Sequence, residues 1–314
     1  MLDSATIKAE ARRLGFSLVG VCDPSPPQGL EFTRDWLRQG FAGEMAYMEA
    51  SLALRRDLDI LLPGVRSVVA CGLEYGPERP VLGDGIRIAR YALGRDYHKV
   101  LRSKLKKIGQ FLDGTLPGES HRPCVDSAPV FEREYANRAG LGWFGKNTML
   151  INSHRGSWFL LGVLLTTAEI ARDNVAVGGC GTCTKCIDSC PTGAIVPLNG
   201  RWAVDSRKCI SYLTIEKRGE IAPELQGQIG ELAFGCDICQ EVCPFNQPRP
   251  DQPLRAQPGQ DSDLKDWRNW PSPETVVQWS YDEWDEATRG SAVRRAGYEG
   301  LRRNAGIVAR NRKL

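Results

Sequence analysis

The sequence predicts three parts: an α/β (α+β) N-terminal domain, a small cysteine-rich domain, and a basic helical segment at the C-terminal end. Three observations predict this. Helical and strand-like apolar patterns alternate over residues 1–175. Eight of the eleven cysteines fall within residues 180–243. Residues 288–314 hold eight basic side chains and one acidic, against a mildly acidic body. The boundaries follow as 1–175, 176–250 and 251–314. A chain of 314 residues, 42% hydrophobic and 25% charged, is an ordinary globular one, neither disordered nor fibrous. No run approaches the ~18–20 apolar residues that a membrane helix needs. The N-terminus is polar (Asp3, Lys8, Glu10, Arg12, Arg13) and no signal-peptide core follows. Arg12 and Arg13 lie inside a helical pattern, so a cytoplasmic protein is expected.

The elements follow in order. Asp3 or Ser4 caps a helix through residues 9–14 that stops at Gly15. Residues 16–22 read as a strand, 24–27 as a turn-rich loop, 32–49 as a helix, and 61–64 as a turn entering a strand at 67–73. Residues 98–116 form an amphipathic helix with Val100, Leu101, Leu105, Ile108 and Leu112 on its apolar face. Residues 124–130 are strand-like, 131–139 helical, and 157–167 a second buried strand. The mix predicts a layered α/β domain. Residues 246–275, rich in Pro, Gln and Asp, read as a linker or surface loop, and 276–314 as helical and basic.

The cysteines carry the strongest signal. Cys180, Cys183, Cys186 and Cys190, followed by Pro191, give C-x2-C-x2-C-x3-C-P, the run found in bacterial ferredoxins. Three thiolates on one tight loop hold three irons of a cubane. The fourth is expected to start a helix that points away, and to serve the other cluster. Cys236, Cys239 and Cys243, followed by Pro244, repeat the C-x2-C-x3-C-P ending, but Ala233 stands where the first ligand belongs. Cys209 is the remaining cysteine in the region and is assigned as the replacement. The crossed assignment is then Cys180, Cys183, Cys186 and Cys243 on one 4Fe-4S cluster, with Cys190, Cys209, Cys236 and Cys239 on the other. Zinc is the competing reading, since two C-x2-C pairs build a tetrahedral thiolate site, but zinc does not explain two C-x2-C-x3-C-P runs. Cys22, Cys71 and Cys124 are expected to pack as small buried hydrophobes.

Two adjacent clusters conduct electrons, and something in the N-terminal domain receives them. Gly140, Gly142 and Gly145 allow close backbone approach to a ligand. Asp126, before a turn, is a general-acid candidate; a helix cap or an ion pair would also explain it.

The segments RYALGRDYH (90–98), VDSAPVFER (125–133), RAGLGWFGKN (138–147), CGTCTKCIDSCPTGAI (180–195), CISYLTIE (209–216), GCDICQEVCPFN (235–246) and GSAVRRAGYEGLRRNA (290–305) together resemble the epoxyqueuosine reductases. The resemblance is to a short form without the C-terminal helical-repeat domain of many members. It implies a nitroreductase-like cobalamin-binding fold, two 4Fe-4S clusters and a tRNA substrate. The implied reaction reduces epoxyqueuosine to queuosine at the wobble position. Cob(I)alamin would act as nucleophile, the clusters as electron relay, and Asp126 as proton donor with its pKa raised by partial burial. No D-x-H-x-x-G signature is present; the resemblance implies base-off cobalamin bound without that histidine loop. Arg55, Tyr91, Asp126, Asn147, Ser211 and Asp237 match cofactor-lining positions, with Arg56 leaving the register of Arg55 open.

The basic residues complete the reading. Arg294-Arg295 and Arg302-Arg303 lie eight residues apart, which places them on one face of a continuous helix. With Lys217 and Arg218 they are expected to contact the tRNA backbone, with the modified base splayed out of its loop. A low-potential electron donor and a monomeric state complete the expectations. The weighed alternatives are a reductive dehalogenase-like cobalamin enzyme and a ferredoxin-type electron carrier.

Overall fold

The structure is a computed structural model, and it describes residues 2–78, 83–247 and 261–313. Its centre is a four-stranded sheet in the order β1 (Leu18–Cys22), β2 (Ser67–Glu74), β7 (Phe159–Thr166), β4 (His121–Cys124), antiparallel throughout. Strand β2 is buried at every residue, as a central strand covered on both faces must be. Helices α1 (Ser4–Arg13) and α5 (Tyr97–Thr115) cover one face, where Ile7, Leu101, Leu105 and Ile108 meet Val69, Cys71 and Leu164. Helix α6 (Glu132–Arg138) covers the other, with Tyr135 and Ala136 against Val68, Val163 and Leu165. Each such aliphatic side chain contributes about 1.5–3 kcal/mol on burial. Gly20 lets α6 approach: a Cβ there would lie 1.9 Å from the Ala139 carbonyl oxygen.

Local chemistry sets the ends of these helices. Asp3 caps α1 by accepting from the Ala5 amide at 3.1 Å, and Gly15 ends it at φ 95°. Asp96 caps α5 through the His98 amide. The helix expected at 32–49 is broken in two: α2 (Leu30–Arg38) and α3 (Ala46–Ala50) are separated by Gly40 and Gly43, both at positive φ. A short α4 (Leu52–Arg56) follows. Residues 124–130 are not a strand. β4 ends at Cys124 and the chain turns at Asp126, which takes φ 47°.

The cysteine region contains α7 (Lys185–Asp188), the hairpin of β8 (Ile195–Leu198) and β9 (Arg201–Val204), and α8 (Ile210–Ile215). Cys190 does not start a helix; it follows α7, and Pro191 sits in a turn. The expectation holds for the second run, where Cys243 caps a 3₁₀ turn, Pro244–Asn246. Two short strands, β5 (Trp143–Phe144) and β6 (Leu150–Ile151), form a separate ribbon.

The last part of the chain packs into the molecule. β3 (Arg87–Ile88) pairs in parallel with β10 (Leu232–Phe234), and Trp270, Trp279, Trp284, Leu301, Ala305 and Val308 close over Ile86, Ile88 and Phe234. Asn304, fully buried, donates to the Thr214 and Ala233 carbonyls at 2.8 and 2.9 Å. The two arginine pairs do not share a helix face. Arg294 and Arg295 lie on a 3₁₀ turn (Ala292–Ala296), and Arg302 and Arg303 on the helix Tyr298–Asn311, with Gly297 at φ 75° between them. Of the linker expected at 246–275, residues 248–260 lie outside those described.

Candidate active site and cluster-binding region

The eight clustered cysteines are all free thiols and form two groups in space. Cys180, Cys183, Cys186 and Cys243 line one cavity, with Asn147, Ile151 and Phe245. Burial, then the Cys180 and Cys243 charges, pushes the Cys186 thiol up to about 11. Cys236 is lifted to about 12 by burial, with Cys209 and Cys190 as its charged cysteine neighbours. Cys239 is raised well above the ordinary value by burial and by Cys236 and Cys209, with Cys186 of the first group a further neighbour. Among the described residues no three His, Cys, Asp or Glu side chains close around a single ion. Backbone amides already point at sulfur: that of Ala194 lies 3.3 Å from Cys190 Sγ. Cys22, Cys71 and Cys124 are buried in the sheet core, as expected of small hydrophobes.

Asp126 stands on a loop fixed from three sides. Its amide donates to Glu132 Oε1 at 2.7 Å. Arg55 holds the far end of the loop by donating to the Val130 carbonyl at 3.1 Å, while its guanidinium covers the Phe131 ring; Arg56 beside it is exposed. His98 lies 2.9 Å from Asp126 Oδ2 through Nε2 and 2.7 Å from Asp96 Oδ1 through Nδ1. Both ring nitrogens are therefore occupied. The imidazole stacks on Tyr97 with ring centroids 4.0 Å apart.

This geometry sets the protonation. Burial opposes charge on His98, but the two carboxylates overcome it and carry its pKa to about 9. Desolvation works upward on Asp126; the His98 hydrogen bond and charge outweigh it and hold the carboxyl below its ordinary value. The expectation of a raised Asp126 pKa is thus reversed, because its imidazolium partner stabilises the carboxylate. Burial, helped by the Asp126 charge, instead raises Glu132 to about 8.

Of the other anticipated residues, Tyr91 lies beside this centre and Asn147, Ser211 and Asp237 lie at the cysteines. Tyr91 is raised by burial and by the charges of Asp126, Asp237 and Glu216, and its ring meets Tyr97 edge-on. Asp237 accepts from the Arg90 amide and guanidinium at 2.9 and 3.0 Å, which ties the Cys236 loop to the RYALGRDYH segment. Asn147 is buried and donates to the Cys239 carbonyl at 3.2 Å, so it joins the two groups of cysteines to the α/β domain. Ser211 lies in the first turn of α8, where its amide faces the Cys209 sulfur. The basic residues are engaged within the protein. Arg303 donates to the Leu213, Lys217 and Gly219 carbonyls, and Arg218 to those of Ile215, Arg295 and Ala296. Arg302 reaches the Val277 carbonyl, Arg294 pairs with Asp285, and Lys217 with Glu44. Arg295 pairs with Glu216, covers Tyr47 and stays 55% exposed beside the Asp126 loop.

Sequence reasoning missed His98, Tyr97, Glu132 and Arg90 as site residues. His98 carried a usable signal: it is one of three histidines in the chain, two residues after an acid at a helix start.

The fold and its thiols define an iron–sulfur oxidoreductase in which an α/β domain is joined to a double-cluster module. Two family models match: "4Fe-4S double cluster binding domain" over residues 179–246, and "Epoxyqueuosine reductase QueG, DUF1730" over 55–127. The chain is 39% identical to the epoxyqueuosine reductase of Aliivibrio fischeri, covering 97% of this chain and 82% of the relative. It is 42% identical to that of Gloeobacter violaceus, over 96% and 94%. Its structure matches the Streptococcus thermophilus epoxyqueuosine reductase with a TM-score of 0.82 at 27% identity, over 99% of this chain and 81% of that one. Another epoxyqueuosine reductase, solved with an epoxyqueuosine-modified tRNA-Tyr stem loop, matches at 0.79 and 28%, over 97% and 80%. The chain belongs to the epoxyqueuosine reductase family.

Proposed function

We propose that this protein reduces epoxyqueuosine to queuosine in tRNA, and that Asp126 passes to the departing oxygen a proton drawn from His98. The Asp96–His98–Asp126 chain carries this reading. Reduction of the epoxide to an alkene consumes two electrons and two protons and expels the oxygen as water. Two groups beside Asp126 hold protons at neutral pH: His98, at about 9, and Glu132, at about 8. Asp126 is 61% exposed, where a substrate can reach it, whereas His98 lies behind it at 30%. The carboxylate therefore serves as the point of delivery and the imidazole as the reservoir. Asp96 fixes the imidazole tautomer and orientation through Nδ1.

The residues fit the implied cofactors by donor chemistry. Two groups of four thiols suit two 4Fe-4S clusters, bound by Cys180, Cys183, Cys186 and Cys243, and by Cys190, Cys209, Cys236 and Cys239. Arg55, Tyr91, Asn147, Ser211 and Asp237 would border a corrinoid. With both its nitrogens held by carboxylates, His98 is not free to ligate the cobalt of such a corrinoid. Such a group supplies a low-potential centre able to attack a strained C–O bond, and the cluster cysteines hold the relay that refills it. The Arg55 and Glu132 contacts keep the Asp126 loop against that face.

The tRNA backbone is assigned to the basic rim of Lys217, Arg218, Arg294, Arg295, Arg302 and Arg303, with Arg295 nearest the catalytic loop. Anaerobic reconstitution with iron, sulfide and cobalamin tests the whole reading. About eight irons and one cobalt, a base-off Co(II) signal by EPR, and conversion of epoxyqueuosine-bearing tRNA support it. Eight irons without cobalt would make the chain an electron carrier and remove Asp126 from its role.

A further inference from the structure

We propose that the surface over the loop of Cys180 and Cys183 is the docking site of an acidic one-electron carrier protein, and so the port through which electrons enter. The inference rests on the reading above, with the clusters as relay and tRNA as substrate; its test needs neither tRNA nor cobalamin. The cluster held by Cys190, Cys209, Cys236 and Cys239 lies toward the catalytic loop, because Asp237 binds Arg90 and faces Tyr91. The cluster of Cys180, Cys183, Cys186 and Cys243 lies at the other end of the relay. A macromolecular substrate covers the Asp126 side, so a carrier protein must deliver electrons at this far end.

The surface there is unlike the rest of the molecule. Val177 is 94% exposed, the most open large apolar side chain among the described residues; Val175 and Phe144 are 56% and 49% exposed. Val177, through Gly178, and Phe144 flank the same buried ring, Trp143. Trp143, buried beneath, packs with Cys180, Cys243 and Phe245, and a Cβ at Gly178 would lie 2.2 Å from its ring. Phe144 is its neighbour on β5 and points outward. Lys146 donates to the Gly181 and Cys183 carbonyls at 2.9 Å each, placing a positive charge on the cluster loop. Gly179 and Gly181 leave the backbone open: a Cβ on either would meet nothing within 4 Å.

Charge selects the partner. Lys8, Arg138 and Lys217 are tied to carboxylates, but neither Lys146 nor Lys185 makes an ion pair among the described residues. An apolar patch beside two uncompensated ammonium groups fits a carrier with carboxylates around an apolar cofactor edge. Each encounter oxidises the carrier by one electron and reduces the cluster by one; two encounters supply the pair that the reaction consumes.

The test uses the full chain with clusters reconstituted and neither tRNA nor cobalamin added. Stopped-flow bleaching of cluster absorbance is followed with a reduced acidic flavodoxin, and separately with dithionite. Val177→Asp and Lys185→Glu should each slow reduction by flavodoxin by about tenfold or more, since charge steering alone changes association rates 10–10³-fold. Dithionite rates should stay at the wild-type value, and Lys106→Glu, on the distant α5, should match wild type with both reductants. Wild-type flavodoxin rates in the two patch variants would overturn the proposal. So would equal slowing with dithionite, which would mean that the variants disturb the cluster rather than the docking.

Discussion

Replacing His98 by Gln separates the reservoir from the point of delivery. In the wild type the His98–Asp126 pair holds its proton up to about pH 9, because two carboxylates at 2.7 and 2.9 Å stabilise the imidazolium. Without the imidazole, the Asp126 carboxylate loses the proton source bonded to it, and Glu132, which meets only the Asp126 amide, does not replace it. A carboxyl of ordinary pKa, about 3.9, is protonated in roughly one molecule in 10³–10⁴ at pH 7.5. Single-turnover conversion of epoxyqueuosine-tRNA at that pH should therefore fall by about 10³-fold, within the range attributed to a general acid. The wild-type rate should decline as pH rises through about 9, and the variant rate should rise steadily as pH falls toward the carboxylate range. Iron and cobalt content should not change. Stability moves with the same group. The folded pKa of His98 lies above its unfolded value of about 6.5, so its contribution is complete below that pH and is lost as pH climbs through about 9. His98→Gln at the wild-type rate, with the same pH profile, would refute the relay.

Asp126→Ala should abolish turnover while leaving both clusters and the corrinoid bound, as checked by metal analysis and EPR beside the nucleoside assay. Cys209→Ser should lower the iron count from about eight to about four per chain and leave the signal of the cluster that uses Cys180. Arg303→Ala, which removes donors to the Leu213, Lys217 and Gly219 carbonyls, should cost about 2–4 kcal/mol in denaturant unfolding, because hydrogen bonds from charged groups are among the stronger ones. Gly20→Ala should cost about 2–3 kcal/mol or shift α6, since its Cβ would collide with the Ala139 carbonyl at 1.9 Å.

Periodicity and capping made the α/β domain legible. Asp3, Gly15, and the apolar spacing of Val100, Leu101, Leu105, Ile108 and Leu112 marked elements that the structure contains. The continuous helix at 32–49 failed because Gly40 and Gly43 adopt positive φ, which a side-chain pattern does not reveal. The strand at 124–130 failed for a related reason: apolar Val125 and Val130 are buried by the core, while the backbone between them turns at Asp126. In the site, the cysteine groups were legible because ligand spacing is a local property. His98 and Glu132 were not, because their roles arise from a loop that folds back onto α5. The charge of the arginines was legible in the sequence, but their bonds within the fold were not, because the carbonyl and carboxylate partners lie up to 90 residues away.

The pairing of β3 with β10 bears on the birth of the molecule. Arg87 aligns with Leu232, and this seam is then roofed by tryptophans at 270, 279 and 284. A nascent chain must therefore keep its early segment waiting, with Ile86 and Ile88 uncovered, until Phe234 and the tryptophans at 270, 279 and 284 have emerged. Contacts of such long separation fold slowly. Cutting the chain near residue 175 would leave the sheet cores nearly whole but part Ile86, Ile88 and Leu93 from the later residues that cover them.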